Sequence, residues 1–147
     1  MTQYTHILVA IDLADSASSI LNKAHEIAEQ NKAKLSLLHI VEYLPPIDSA
    51  YEPILASNWS IDESQLLSRA EKSLQQLCSQ HNLQDATLNV VLGTPKHEIT
   101  QFVNEHRCDL IVMGSHGRHG ISLLLGSTAN AVLHEMPCDI LAVKIKA

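Results

Sequence analysis

The residues best suited to chemistry lie in one stretch, GSHGRHGISLLLGSTANAVLH, which runs from Gly114 to His134. It places four glycines, three histidines and an arginine beside a Gly-Ser-Thr step. Glycines at this spacing let the backbone turn with positive φ and bring its N–H groups close to a ligand. The stretch is therefore compatible with an anion cradle, with a metal site, or with a simple connection between a strand and a helix.

The anion interpretation rests on two features of this stretch. Gly114, Gly117 and Gly120 follow an apolar run, and the Gly-Ser-Thr step at 126–128 opens a helical pattern whose first N–H groups and dipole favour negative charge. Arg118 lies between them and could donate charge-assisted hydrogen bonds to a phosphate. Because neither a Walker lysine pattern nor GxGxxG is present, these residues alone leave phosphate binding and ordinary turn formation equally open.

Metal binding and catalysis have less support. His116 and His119 form an H-x-x-H, but no cysteine or carboxylate stands at a matching short spacing to complete a zinc site. We interpret them as solvated loop residues. No G-x-S-x-G nucleophile elbow is present, and no residue stands out as a base that would orient water. We therefore assign no catalytic residue and no metal ligand.

Five apolar runs are predicted to be strands, and they alternate with four helical patterns. Four of the runs are apolar on consecutive positions, which is typical of parallel strands covered on both faces. These four cover 6–12, 33–41, 109–114 and 139–145. The fifth, 86–93, alternates more and is expected nearer an edge. The predicted helices cover 16–32, 62–82, 94–107 and 127–136.

This order predicts an α/β fold, a single domain over 1–147 with an open five-stranded parallel sheet and helices on both faces, Rossmann-like in type. In such sheets ligands bind outside the carboxyl ends of the strands, where the strand order reverses. Asp12, Val41 and Gly114 stand at such ends. The segment 43–61, with three prolines and no clear period, is expected to be a long functional loop.

Composition excludes several classes of partner. The net charge is −6 and no lysine or arginine run is present, which argues against nucleic acid because phosphate neutralisation needs a basic face. No stretch approaches the ~20 apolar residues of a membrane span. The three cysteines, Cys78, Cys108 and Cys138, lie far apart in the sequence. We interpret them as small buried apolar residues of a protein in a reducing compartment. His39, inside an apolar run, is expected to be a hydrogen-bonded core residue. We expect a soluble cytoplasmic protein.

Over its whole length the chain resembles the universal stress protein family. The similarity rests on ILVAID near the start, LSLLHIVE in the second strand, V-x-x-G-x-P at 90–95, CDLIVMGSHGR at 108–118 and LLGSTANAVLHEMPCDILAV near the end. The resemblance implies a fold related to adenine-nucleotide-binding proteins and frequent homodimers, often formed through the last strand. That strand is 139–145 here, and an unpaired edge strand invites self-pairing.

ATP-binding members of the family carry Gly-x-x-Gly, a spacer, and then Gly followed by Ser or Thr. In this chain Gly114 to Gly117 and Gly126-Ser127 match the two ends, and the spacer of eight residues is one shorter than usual. The resemblance implies ATP as ligand, with any Mg²⁺ held through the phosphates. By position it implies a site made of Asp12 near the adenosine, the Val41 main chain at the adenine edge, Met113 and Gly114 at the ribose, and Gly117, Gly126, Ser127 and Thr128 at the phosphates.

The leading hypothesis is thus a cytoplasmic ATP-binding regulatory or stress-response protein with at most slow ATP hydrolysis. One alternative is a dimeric interaction protein of the same fold that binds no nucleotide and whose glycines serve only the turn. The weakest is a phosphoryl- or nucleotidyl-transferring enzyme of related fold.

Overall fold

Five parallel strands and three helices make up the part of the chain that this computed structural model describes, namely residues 3–12, 17–41, 63–83, 85–114 and 137–144. The strands are β1 (His6–Ala10), β2 (Lys34–Val41), β3 (Thr87–Leu92), β4 (Leu110–Gly114) and β5 (Asp139–Val143). The helices are α1 (Ala17–Asn31), α2 (Glu63–Gln80) and α3 (Pro95–His106). The predicted helix 127–136 and the predicted loop 43–61 lie outside these residues.

The strands pair in the order β3-β2-β1-β4-β5, and every pair is parallel. This confirms the predicted five-stranded parallel sheet. It also confirms the position of β3, whose alternating sequence indicated an edge strand. The last strand, β5, forms the other edge.

Consecutive residues of the inner strands serve two cores, one on each face of the sheet. In β1, Ile7 and Val9 face α1 and α2, whereas Leu8 faces α3. All three side chains have no exposed surface. Because successive residues of a strand point to opposite faces, a strand covered on both faces is apolar at most positions, and this accounts for the long apolar runs.

The three described helices are divided between the two faces of the sheet. The first core includes the apolar stripes of α1 and α2, with Ile20, Ala24 and Leu74 buried as their spacing predicts. The second core is completed by α3, through Ile99, Phe102 and Val103. Helices therefore lie on both faces of the sheet, as expected.

Side chains tie the amino ends of the strands together. The Asp109 carboxylate, which precedes β4, accepts hydrogen bonds from the Thr5 N–H at 2.8 Å, the Thr5 hydroxyl at 3.0 Å and the His6 N–H at 3.0 Å. The Tyr4 hydroxyl donates to Asp139 Oδ2 at 3.0 Å and so links the start of β1 to β5 across the end of β4. Burial raises the pKa of Asp109, but the hydrogen bonds from Thr5 and His6 outweigh it and leave that pKa below its usual value.

His6 extends this network into the sheet. Its Nδ1 donates to the His106 carbonyl at 3.0 Å, and its Nε2 lies 2.7 Å from the Ser36 hydroxyl. A carbonyl only accepts, so the proton is on Nδ1 and, in the neutral ring, Nε2 accepts from Ser36. Burial lowers the pKa of His6, which keeps the ring in this neutral form.

Replacing Asp109 tests how much the amino-end network stabilises the fold. We expect D109A to lower the free energy of unfolding by about 1–3 kcal/mol, because the N–H groups of Thr5 and His6 lose their acceptor. D109N keeps one acceptor oxygen and should lose less. Urea denaturation with an unchanged slope would report the difference.

The stability difference between wild type and D109N should depend on pH. The folded-state pKa of Asp109 lies below its unfolded value of 3.8, so the stabilisation is present above that pH and is lost as pH falls through the folded-state pKa. The gap between wild type and D109N should therefore shrink in acid. A gap of the same size well below pH 3.8, or equal stability of D109A and wild type at neutral pH, would contradict this account.

Candidate functional site

The strand order reverses at β1, which places a topological switch at its carboxyl end. β2 and β3 lie on one side of β1, while β4 and β5 lie on the other. The register pairs Ala10 with both Leu38 of β2 and Met113 of β4. Asp12 follows Ala10 by two residues and Gly114 follows Met113 by one, so both stand at the place where ligands enter open α/β sheets.

Val41 lies at the same edge, on the far side of β1 from Gly114. It pairs with Leu92 of β3, and its carbonyl accepts the Gly93 N–H at 3.1 Å. A carbonyl oxygen has two lone pairs, so this bond leaves one for a ligand. Val41 and Asp12 are both half-buried, which lets them contact a ligand without leaving the sheet edge.

The Met113 side chain is not available to a ligand at this edge. The side chain is only 4% exposed and packs in the core beneath α3 with Leu8 and Ile111. Gly114 is half-buried and pairs with Val143. The remaining predicted site residues lie outside the described part of the chain and stay predictions from sequence. They are Gly117, Arg118, Gly126, Ser127 and Thr128, together with the loop histidines His116 and His119.

A buried histidine stands beside the switch point. His39 is 8% exposed, and its Nδ1 donates to the Ile11 carbonyl at 2.9 Å. This confirms the prediction of a hydrogen-bonded core residue. The sequence did not show that the acceptor is the carbonyl immediately before Asp12. The one feature of the sequence that pointed to this contact was a histidine close to the carboxyl end of an otherwise apolar strand.

A glycine and a glutamate border the edge on the β3 side. Gly93 has φ 157°, and a Cβ there would lie 2.5 Å from Glu98 Oε1. The half-buried Glu98 side chain therefore folds over the turn after β3 because residue 93 lacks a side chain. Gly93 therefore contacts Glu98 on one side and donates its N–H to the Val41 carbonyl on the other, and the sequence pattern predicted neither contact.

The described residues hold no cluster of three or more histidine, cysteine or acidic side chains that could bind a metal. Among the described helices, none combines the length and apolar character that crossing a membrane requires. Cys78 and Cys108 are buried as expected, and Cys138 is half-buried. Burial raises the pKa of Cys108 to about 12 and that of Cys138 to about 11, so neither thiol is ionised near neutral pH.

The comparisons with known proteins agree over nearly the whole chain. The model of the universal stress protein family matches residues 3–144. Universal stress protein A homolog 2 of Coxiella burnetii is 42% identical over 147 residues, with 99% of each chain covered. The solved structure of UspA from Lactobacillus plantarum is 27% identical with a TM-score of 0.71, covering 97% of this chain and 99% of that one. A universal stress protein solved in complex with cAMP is 26% identical with a TM-score of 0.61, covering 97% and 98%.

The cysteine environment predicts a pH-dependent reactivity. At pH 8 a thiol with a pKa of about 12 is ionised in roughly one molecule in 10⁴, against about a quarter for a free cysteine. We expect iodoacetamide to modify Cys108 at least about a hundredfold more slowly in the native protein than in denaturing urea. Peptide mass spectrometry would follow each cysteine separately. Rapid modification of native Cys108 at pH 8 would show that its surroundings are not those described.

Proposed function

This chain belongs to the universal stress protein family, and we propose that it is a cytoplasmic adenine-nucleotide-binding regulatory protein, with ATP as its ligand and without efficient catalysis. The observation that carries the proposal is the meeting of Asp12 and Gly114 at the switch point of the sheet. Gly114 is also the first residue of the Gly-x-x-Gly sequence, so the chain enters the proposed phosphate segment directly from this edge.

The proposed site has an adenosine half and a phosphate half. In the first, the Asp12 carboxylate accepts from ribose hydroxyls, and the free lone pair of the Val41 carbonyl accepts from the adenine amino group. Met113 and Gly114 border the ribose with their main chain. In the second, which rests on sequence, main-chain N–H groups and hydroxyls hold the phosphates, and Mg²⁺ binds through those phosphates. The residues of this half are Gly117, Arg118, Gly126, Ser127 and Thr128.

The neighbour that was solved with cAMP supports the choice of an adenine nucleotide. cAMP and ATP share adenosine and differ in their phosphates. The adenosine half of the site would bind either nucleotide, so both ATP and cAMP are included in the binding test.

We also propose that the protein forms a homodimer through β5. Among the described strands β5 pairs with β4 and has no neighbour on its other side. Asp139 and Ala142 in this strand are exposed, and Ile140, Leu141 and Val143 are half-buried. An edge strand of this kind presents unpaired N–H and C=O groups that a second copy could satisfy.

Light scattering tests the dimer. We expect twice the mass of the chain at micromolar concentration, since pairing of two β5 edges would shield their apolar side chains. The mass of a single chain at that concentration would remove this part of the proposal.

Nucleotide binding is tested by thermal unfolding of ligand-free protein with excess Mg-ATP, cAMP or GTP. A ligand at a hundred times its dissociation constant stabilises the folded state by about 2.7 kcal/mol, which is roughly 5–10 °C for a domain of this size. We expect such a shift with ATP and none with GTP. The absence of a shift with both adenine nucleotides at millimolar concentration would favour the alternative, an interaction dimer that binds no nucleotide.

Two variants locate the site, and a third serves as control. D12A should lose about tenfold or more in ATP affinity through the lost ribose contact, and G126V should block the approach of phosphate. D85A removes an exposed carboxylate just before β3, at the amino ends of the strands and away from the proposed site. This variant should bind ATP as wild type does. Full ATP affinity in D12A and G126V would show that the nucleotide binds elsewhere.

A further inference from the structure

We propose that His39 is a positioning residue for the nucleotide, because it holds the Ile11 carbonyl and thereby sets the direction in which the chain leaves β1 towards Asp12. The inference rests on the proposed function, since Asp12 is the ligand contact whose position it sets. His39 itself touches no ligand in this account.

The contact stands where the hydrogen-bond ladder of β1 ends. Ala10 is the last residue of β1 and is in register with Leu38. The next residue, Ile11, still donates its N–H to the Leu38 carbonyl at 3.0 Å. Its own carbonyl accepts the ring N–H of His39 at 2.9 Å. The imidazole thus satisfies a carbonyl at the point where the chain turns out of the sheet.

The planarity of the peptide bond couples the position of the Ile11 carbonyl to that of the Asp12 backbone. The Ile11 carbonyl and the Asp12 N–H lie in one rigid plane. Fixing the carbonyl oxygen therefore fixes the plane from which the Asp12 backbone starts. Binding groups have to be held within about 0.5 Å of their working positions to contribute fully, and a free peptide plane after β1 would not meet that requirement.

Burial makes the histidine hard to replace. Ile11 is 5% exposed and His39 is 8% exposed, so water does not readily take the place of the ring. Two residues earlier in β2, Leu37 fills the corresponding position on the same face with a fully buried apolar side chain. A leucine at position 39 would keep an apolar side chain on that face, but it would leave the Ile11 carbonyl without a donor. The polar side chain in an apolar strand therefore has a use other than packing.

His6 provides a matched control at the other end of the sheet. It is also 8% exposed, and its Nδ1 also donates to a main-chain carbonyl, that of His106 at 3.0 Å. That carbonyl lies at the amino edge, away from Asp12. A variant of His6 should therefore reproduce the structural damage of a lost buried histidine without disturbing the carboxyl edge.

The test compares H39L, H39N and H6L by calorimetric titration with Mg-ATP at 25 °C, with urea denaturation to measure stability and circular dichroism to verify folding. We expect H39L to lose about tenfold or more in affinity, because the Ile11–Asp12 peptide is no longer held. H39N should recover most of the affinity, since its amide nitrogen reaches the place of Nδ1. H6L should be destabilised but should bind ATP within about twofold of wild type.

The outcomes separate the two proposals. If wild type binds ATP and H39L binds it equally well, the positioning role of His39 is wrong and the proposed function stands. Equal losses of affinity in H39L and H6L would also overturn it, because they would reflect general destabilisation. If wild type binds no adenine nucleotide, both proposals fall.

A second comparison covers the case in which H39L does not fold. H39Q places its amide near the position of Nε2 rather than Nδ1, so it should bind ATP more weakly than H39N. Equal affinity of H39N and H39Q would contradict the proposed contact.

Discussion

The burial of β1 on both faces is the constraint on which the rest of the structure depends. This strand lies between β2 and β4 and is covered by α1 on one side and α3 on the other, and Ile7, Leu8 and Val9 have no exposed surface. Each such side chain contributes about 1.5–3 kcal/mol relative to an exposed one. Because the central positions of β1 are used for packing, the strand can present a functional group only at its ends. Asp12 is the first polar residue beyond that end.

The two ends of β1 are consequently used in different ways. At the amino end, side chains make the contacts: the Asp109 carboxylate accepts the His6 N–H, the His6 ring donates to the His106 carbonyl, and the Tyr4 hydroxyl donates to Asp139. At the carboxyl end, the contacts run through main-chain groups, as in the hydrogen bonds from His39 to the Ile11 carbonyl and from Gly93 to Val41. The side-chain contacts that stabilise the sheet are thus concentrated at the amino end of β1, whereas the residues proposed to contact a ligand lie at its carboxyl end.

The sequence predicted those parts of this arrangement that depend on local pattern. Unbroken apolar runs distinguished the doubly covered strands, and the alternation in β3 placed it at an edge. The rule that ligands bind at the carboxyl ends of strands led to Asp12, Val41 and Gly114. What the sequence could not supply depends on register between distant segments, as in the bond from Thr5 to Asp109 and the partner of His39. The contact of Glu98 with Gly93 is local, but it depends on how the turn after β3 leads into α3. The doubly covered run 109–114 implied a buried Met113 side chain, but the face that this side chain occupies follows from the strand pairing and not from its residue type.

Under the proposed function, the same division between sheet and loop decides which part of the site can select its ligand. The groups on the sheet edge meet adenosine, which ATP and cAMP share, and their positions are set by strand register and by the Ile11–His39 contact. These sheet-edge groups recognise adenosine but do not contact the phosphates. Selection between nucleotides must therefore come from the segment that follows Gly114, where the glycines and hydroxyls lie in the sequence. A substitution of the glycines or hydroxyls in that segment would alter the affinity for the phosphates, whereas the adenosine contacts are set by the described strands.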